Sequence, residues 1–187
     1  MIFCDTDGNN VQLMSLSYTP RYMTEVDKNT KAVSCKFDKV ILIIDISKLL
    51  VVNKIITKKR CYGILYNYNN LYVVVGKLLH VMNIQGKVLS SLPCPLSSIS
   101  SSTNYINITA NRDRLYCVNS NAVYCSSLDG RLILKFENKK YESLRRVTTD
   151  DSGHVFVTDE ETKTVLTVSG DGKHQEIFKE SDEIKKP

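Results

Sequence analysis

The sequence predicts an all-β chain built as a β-propeller of four-stranded antiparallel blades, about four full blades plus a remnant, in a partial or open ring. Three observations predict it. A short strand, a polar turn and a Leu-Tyr-x-Val strand recur at nearly constant spacing, and a strand ending in a glycine turn recurs with the same period. The windows between these anchors are rich in Val, Ile, Leu and Tyr without helical spacing, which argues for strands. A four-stranded unit of about 40 residues cannot bury both faces alone, so copies must stack, and radial stacking is the propeller.

Residues 1–19 form the remnant. Asp5 precedes Val11 by six residues, as Asp159 precedes Val165, so this stretch opens in mid-repeat with no first strand and no room for a fourth. The first full blade spans about 20–59, with strands expected at 20–26, 31–35, 40–46 and 50–56. The second, about 60–97, carries Cys61-Tyr62-Gly63-Ile64-Leu65-Tyr66, the turn Asn67-Tyr68-Asn69-Asn70 and Leu71-Tyr72-Val73-Val74. The third, about 104–140, repeats the pattern as Tyr105-Ile106-Asn107-Ile108-Thr109-Ala110, a polar turn and Leu115-Tyr116-Cys117-Val118. The fourth, about 143–180, has Phe156 in the tyrosine position. Tyr72, Tyr116 and Phe156 are 44 and 40 residues apart, and Gly86, Gly130 and Gly172 are 44 and 42 apart. Glycine suits these turns because tight hairpins call for positive φ. The Ser-rich run 97–104 reads as a long loop between repeats, and 181–187 as a flexible tail.

Composition bounds the function. The 187 residues are 42% apolar and 24% charged, and 25 Lys and Arg against 20 Asp and Glu leave a net charge of +5. That balance excludes both a disordered polymer and a strongly basic nucleic-acid tail. No apolar run approaches the roughly 20 residues of a membrane span, and the first residues lack the basic region of a secretory signal. The expectation is a cytoplasmic protein with no membrane partner. The six cysteines contain no Cys-x-x-Cys pair and read as free thiols. His80, His154 and His174 form no His-x-x-x-His pair, so no metal and no cofactor are expected. The sequon Asn107-Ile108-Thr109 falls in a predicted strand and reads as chance.

The blade beginning Asp151-Ser152-Gly153-His154-Val155-Phe156-Val157-Thr158-Asp159 and continuing through Lys163-Thr164-Val165-Leu166-Thr167-Val168-Ser169-Gly170-Asp171-Gly172-Lys173 resembles the NHL-type blade. Arg60-Cys61-Tyr62-Gly63-Ile64 and Ile41-Leu42-Ile43-Ile44-Asp45-Ile46 resemble stretches of the six-bladed propellers of invertebrate tripartite-motif-like (TRIM-like) proteins. Absence of Trp argues against WD40 repeats, and Asp159 becomes Asn119 and Gly76 in other copies. In that family RING, B-box and coiled-coil segments often precede the propeller. None is seen here, which suggests a truncated form whose unclosed blade faces would self-associate.

The resemblance implies a protein-interaction module, the partner-binding propeller of a TRIM-like protein, with no catalytic role. The alternative is RNA binding through a basic rim, as some NHL-type members do. Propellers bind with the loops joining second to third strands and one blade to the next. The candidate residues there are Lys58, Lys59, Arg60 and Tyr62, Lys77, Arg145 and Arg146, and Lys163. Scattered solvated lysines are the competing reading of the same residues. An enzyme of the calcium-dependent lactone-hydrolysing kind would need carboxylates converging on the axis. Asp45, Asn119 and Asp159 stand at unequal repeat positions and read instead as turn caps.

Overall fold

The computed structural model describes residues 1–4, 7–93, 107–111, 113–169 and 173–179. The expected loop 97–104 and tail 181–187, and Cys94, lie outside them. Every regular element among the described residues is a β-strand, and no helix there is long and apolar enough to cross a membrane.

A short ribbon pairs β1 (Ile2–Phe3) with β2 (Gln12–Leu13). The first blade comprises β3 (Tyr22–Glu25), β4 (Thr30–Cys35), β5 (Val40–Asp45) and β6 (Leu50–Ile56). The second comprises β7 (Cys61–Asn67), β8 (Asn70–Val75), β9 (Leu78–Met82) and β10 (Val88–Pro93). The third comprises β11 (Asn107–Asn111), β12 (Arg114–Val118), β13 (Ala122–Ser127) and β14 (Leu132–Glu137). The fourth comprises β15 (Leu144–Thr149), β16 (Val155–Asp159), β17 (Thr164–Val168) and β18 (His174–Lys179). In each sheet the strands follow chain order. These are four antiparallel propeller blades, the fold class that the repeat predicts.

Within the blades, β4, β5, β8, β12 and β13 bury consecutive residues and so both faces, most plainly in the apolar runs of β5 and β8, whereas β16 and β17 alternate buried and half-buried positions. The fourth strand has only one sheet neighbour, and β6, β10 and β14 are largely exposed. Bulges at Ile43/Ile44, Cys125/Ser126 and Val165/Leu166 interrupt three third-to-fourth pairings. Such bulges increase the local right-handed twist.

Two compact units divide the chain: Met1–Gly76 with His80–Ser91, and Lys77–Leu79 with Leu92–Pro187. In the first, the period of two along β4 and β5 sorts side chains onto opposite faces. Ala32, Ile41 and Ile43 pack with Ile64, Leu71 and Val73 of the second blade. Val33, Cys35, Val40, Leu42 and Ile44 pack with Met14 and, more loosely, with Phe3 and Tyr18. In the second unit, Tyr116, Val118, Val123, Cys125 and Phe136 of the third blade pack against Leu144, Val147, Val157 and Leu166 of the fourth. Tyr141, 1% exposed, is buried in the same core just before β15.

Candidate functional site

Asn119 and Asp159 occupy one repeat position at the end of a blade's second strand, and Lys36 and Gly76, the latter aligned with them from sequence, stand one residue beyond the equivalent Cys35 and Val75. Three of them serve the turn that follows. Asn119 Oδ1 accepts the amides of Asn121 and Ala122 at 2.9 and 2.7 Å. Asp159 Oδ1 accepts Thr162 N at 2.8 Å, and Gly76 turns with a φ of 64°. Asp45 caps a different turn, after a third strand, by accepting Ser47 N at 3.0 Å. Asp45, Asn119 and Asp159 thus each accept hydrogen bonds within a turn, the role read for them from the sequence.

Lysine cannot accept a hydrogen bond, and Lys36 does something else. It is 2% exposed, and its Nζ lies 4.9 Å from the ring centroids of both Phe37 and Tyr62. Burial, and after it the charges of Arg21 and Arg60, push the ammonium below the usual lysine value. Cation–π attraction offsets part of that cost. The Arg60 guanidinium stands 5.3 Å from the Phe37 ring, so one ring has two cations beside it. Phe37 is nonetheless 61% exposed. Water-facing aromatic area beside cations is a feature of recognition surfaces rather than of cores.

Local chemistry fixes this cluster. Ser34 Oγ donates to Tyr62 O at 2.8 Å, fastening the start of β7 to β4. The buried Cys61 thiol contacts the carbonyls of Cys35 and Val40, 3.4 and 3.3 Å away, beneath the β4–β5 hairpin. Thr57 N donates to Lys39 O at 2.8 Å, so the hairpin and the β6–β7 connection are tied together. Lys39, Lys58 and Lys59 are exposed there. Asp38 accepts Thr19 N at 3.0 Å and is the acid within this turn.

Of the sequence-derived candidates, the structure joins Arg60 and Tyr62 through Phe37 and Lys36, with Lys58 and Lys59 in the adjoining connection. Lys77 is exposed in the β8–β9 turn. In the second unit, Arg145 is ion-paired to Glu160, Arg146 is exposed and Lys163 is half-buried with a φ of 53°. Glu142 and Glu161 are exposed on the same connections, so that set is of mixed charge. Sequence reasoning missed Arg21, Lys36 and Phe37. The available signal was a lysine next to an aromatic residue, Lys36-Phe37, in a loop joining a second strand to a third, where propellers bind. Among the described residues no group of three or more His, Cys, Asp or Glu is placed to hold a metal ion.

No family model matches the chain, and no curated protein matches its sequence. Solved structures do, 614 chains of them, so the fold is too widespread to carry a function by itself. A streptogramin B lyase is similar at 10% identity and a TM-score of 0.68, covering 84% of this chain and 53% of that one. The virginiamycin B lyase from Staphylococcus aureus is similar at 15% identity and 0.72, covering 94% and 61%. Kuenenia stuttgartiensis hydrazine synthase is similar at 13% and 0.68, covering 90% and 52%. The chain thus spans between half and about three fifths of the length of these neighbours.

One expectation is corrected here. The chain was expected not to be an enzyme, yet structures that share its propeller fold are lyases. The expectation rested on the absence of a catalytic constellation and on the unequal repeat positions of Asp45, Asn119 and Asp159, and neither excludes catalysis on this fold. A repeat fold assembles reacting groups from the loops of separate blades, and such a set leaves no contiguous pattern in the chain.

Proposed function

We propose that the chain is a protein-interaction module that captures an acidic segment of its partner on the basic, aromatic end of its first unit. The observation that carries this reading is Phe37, exposed with the cationic groups of Lys36 and Arg60 beside its ring. An exposed ring on a fixed hairpin gives an anchor of low entropic cost, and the cations around it select negative charge. The resemblance of the fourth blade to NHL-type blades supports the finer assignment, the partner-binding propeller of a TRIM-like protein. The candidate contacts are Lys58, Lys59, Arg60 and Tyr62, with Phe37 added from the structure.

RNA is the second reading, favoured by the same ring, since an exposed aromatic beside an arginine can stack a base. It is the weaker one. Strand binding uses a succession of rings and cations along a groove, whereas here Tyr62 is half-buried and the Lys36 ammonium is enclosed.

The test is an array of synthetic peptides graded in acidic and aromatic content, probed with the wild-type chain and with Phe37→Ala and Arg60→Glu, alongside a labelled oligouridine. The expected result is preferential capture of acidic peptides, weakened about tenfold or more in each variant while circular dichroism stays unchanged. Equal capture of neutral and acidic peptides would overturn the proposal. Steeply salt-dependent oligouridine binding without peptide capture would replace it with the RNA reading.

A further inference from the structure

In the second blade, β9 and β10 bring His80 and Ser91 together across the sheet. Ser91 Oγ lies 2.8 Å from His80 Nδ1, a hydrogen bond between residues eleven apart in sequence. That is the reach required of a nucleophile and its base. Ser91 is exposed and so open to a substrate, while His80 is half-buried. Burial holds the imidazole below the usual histidine value, which keeps it neutral and able to accept a proton near pH 7. His80 also lines a cavity of about 270 Å³ with Ile55, Val75, Met82 and Val88, and Lys58 contributes the cation of that wall. The cavity is chiefly apolar, and its shape is set partly by the 83–87 turn, which β6 holds through Asn53 Nδ2 donating to Ile84 O at 3.2 Å.

We propose that this is an acyl-transfer site for esters of short apolar carboxylic acids, with Ser91 as nucleophile, His80 as general base and, as the acyl pocket, the apolar cavity that His80 lines and that Ser91 adjoins through its hydrogen bond to His80. Ser91 Oγ forms a bond to the ester carbonyl carbon as its proton passes to His80 Nδ1. The carbon–alkoxide bond then breaks, and the leaving oxygen takes the proton from His80. Water, deprotonated by the same imidazole, attacks the acyl-serine, releasing the carboxylic acid and restoring the Ser91 hydroxyl. Atoms and electrons balance without any further reactant. The proposal rests on Ser91 and His80, which the peptide-binding reading does not use, and shares only Lys58 of the cavity wall with it.

The experiment treats the full chain with p-nitrophenyl butyrate, follows p-nitrophenolate release and maps any butyryl group by peptide mass spectrometry. The expected result is a butyryl group on Ser91 and a rate lowered about 100-fold or more in both Ser91→Ala and His80→Gln. Ser90→Ala, altering the adjacent exposed hydroxyl, should retain the wild-type rate. Circular dichroism confirms that each variant is folded. No adduct, an adduct on Lys58 or Ser90 instead of Ser91, or an undiminished rate in folded Ser91→Ala would overturn the proposal.

Discussion

Asp159 and Ser143 are joined across sixteen residues: the buried carboxylate accepts Ser143 N through Oδ2 at 2.9 Å. Its other oxygen accepts Thr162 N and Thr162 Oγ1 at 2.8 and 2.7 Å, and Glu160 N returns a bond to Ser143 O at 2.9 Å. One side chain therefore closes the β16–β17 turn and fastens it to the segment leading into β15. Asp159→Ala leaves these donors without their acceptor and is expected to cost about 2–3 kcal/mol. Asp159→Asn should cost less, because an amide oxygen can cap the same turn, as Asn119 does one blade earlier. Urea unfolding of the three proteins checks the order.

Gly86 turns the β9–β10 hairpin with a φ of 90°, and a Cβ placed there would lie 2.7 Å from Ile55 Cγ2. Gly86→Ala combines left-handed strain with overpacking, and the expected loss is about 2 kcal/mol or more. Because the clash depends on Ile55, the loss should be smaller when Ile55 is already alanine. A double-mutant cycle in urea measures that coupling.

The buried cysteines should behave as inert thiols. Burial, then the neighbouring Cys61 and Asp38, push the Cys35 thiol up to about 12, and burial also raises Cys61. A folded-state value above the unfolded one means that the neutral thiol belongs to the folded state. Its contribution is complete below the ordinary thiol value and is lost as pH rises through that value towards about 12. Iodoacetamide at pH 8 should therefore label the exposed Cys4 rapidly and spare Cys35, Cys61, Cys117 and Cys125 until denaturant is added. Peptide mass mapping reads the sites.

Asp45 contributes to the acid limb, together with Asp27, Asp129 and Asp150, whose carboxyls are also held below the ordinary aspartate value by hydrogen bonds. Lys48 Nζ, 2.8 Å from Asp45 Oδ2, then the Ser47 hydroxyl at 2.6 Å from Oδ1, hold the Asp45 carboxyl at about 2. The folded value lies below the unfolded one, so the stabilisation is present above the ordinary aspartate value and lost as pH falls towards about 2. Between pH 4 and pH 2 the wild-type melting temperature should fall more than that of Asp45→Asn. Thermal melts at low salt compare the two, and added salt should shrink the difference.

How far the fold is legible follows from where its information lies. The alternation of Ala32, Ser34, Ile41 and Ile43 with Val33, Cys35, Leu42 and Ile44 is written into adjacent residues, and the structure places the two sets on opposite faces. The anchors Tyr72, Tyr116 and Phe156 fall within β8, β12 and β16. The candidate site was only partly legible. Arg60 and Tyr62 are legible as candidates in the sequence, whereas Lys36 and Phe37 join them only where the β4–β5 hairpin meets the β6–β7 connection. His80 and Ser91 looked unrelated for the same reason.

By itself the sequence determined that this chain is made of repeated four-stranded sheets, because strand periodicity and turn chemistry act between near neighbours and need no knowledge of the whole. Only the tertiary structure decided which turns meet, which cation is enclosed by rings and which serine faces a histidine. Those contacts depend on strand register and blade packing, where a slip of one residue turns every side chain to the other face.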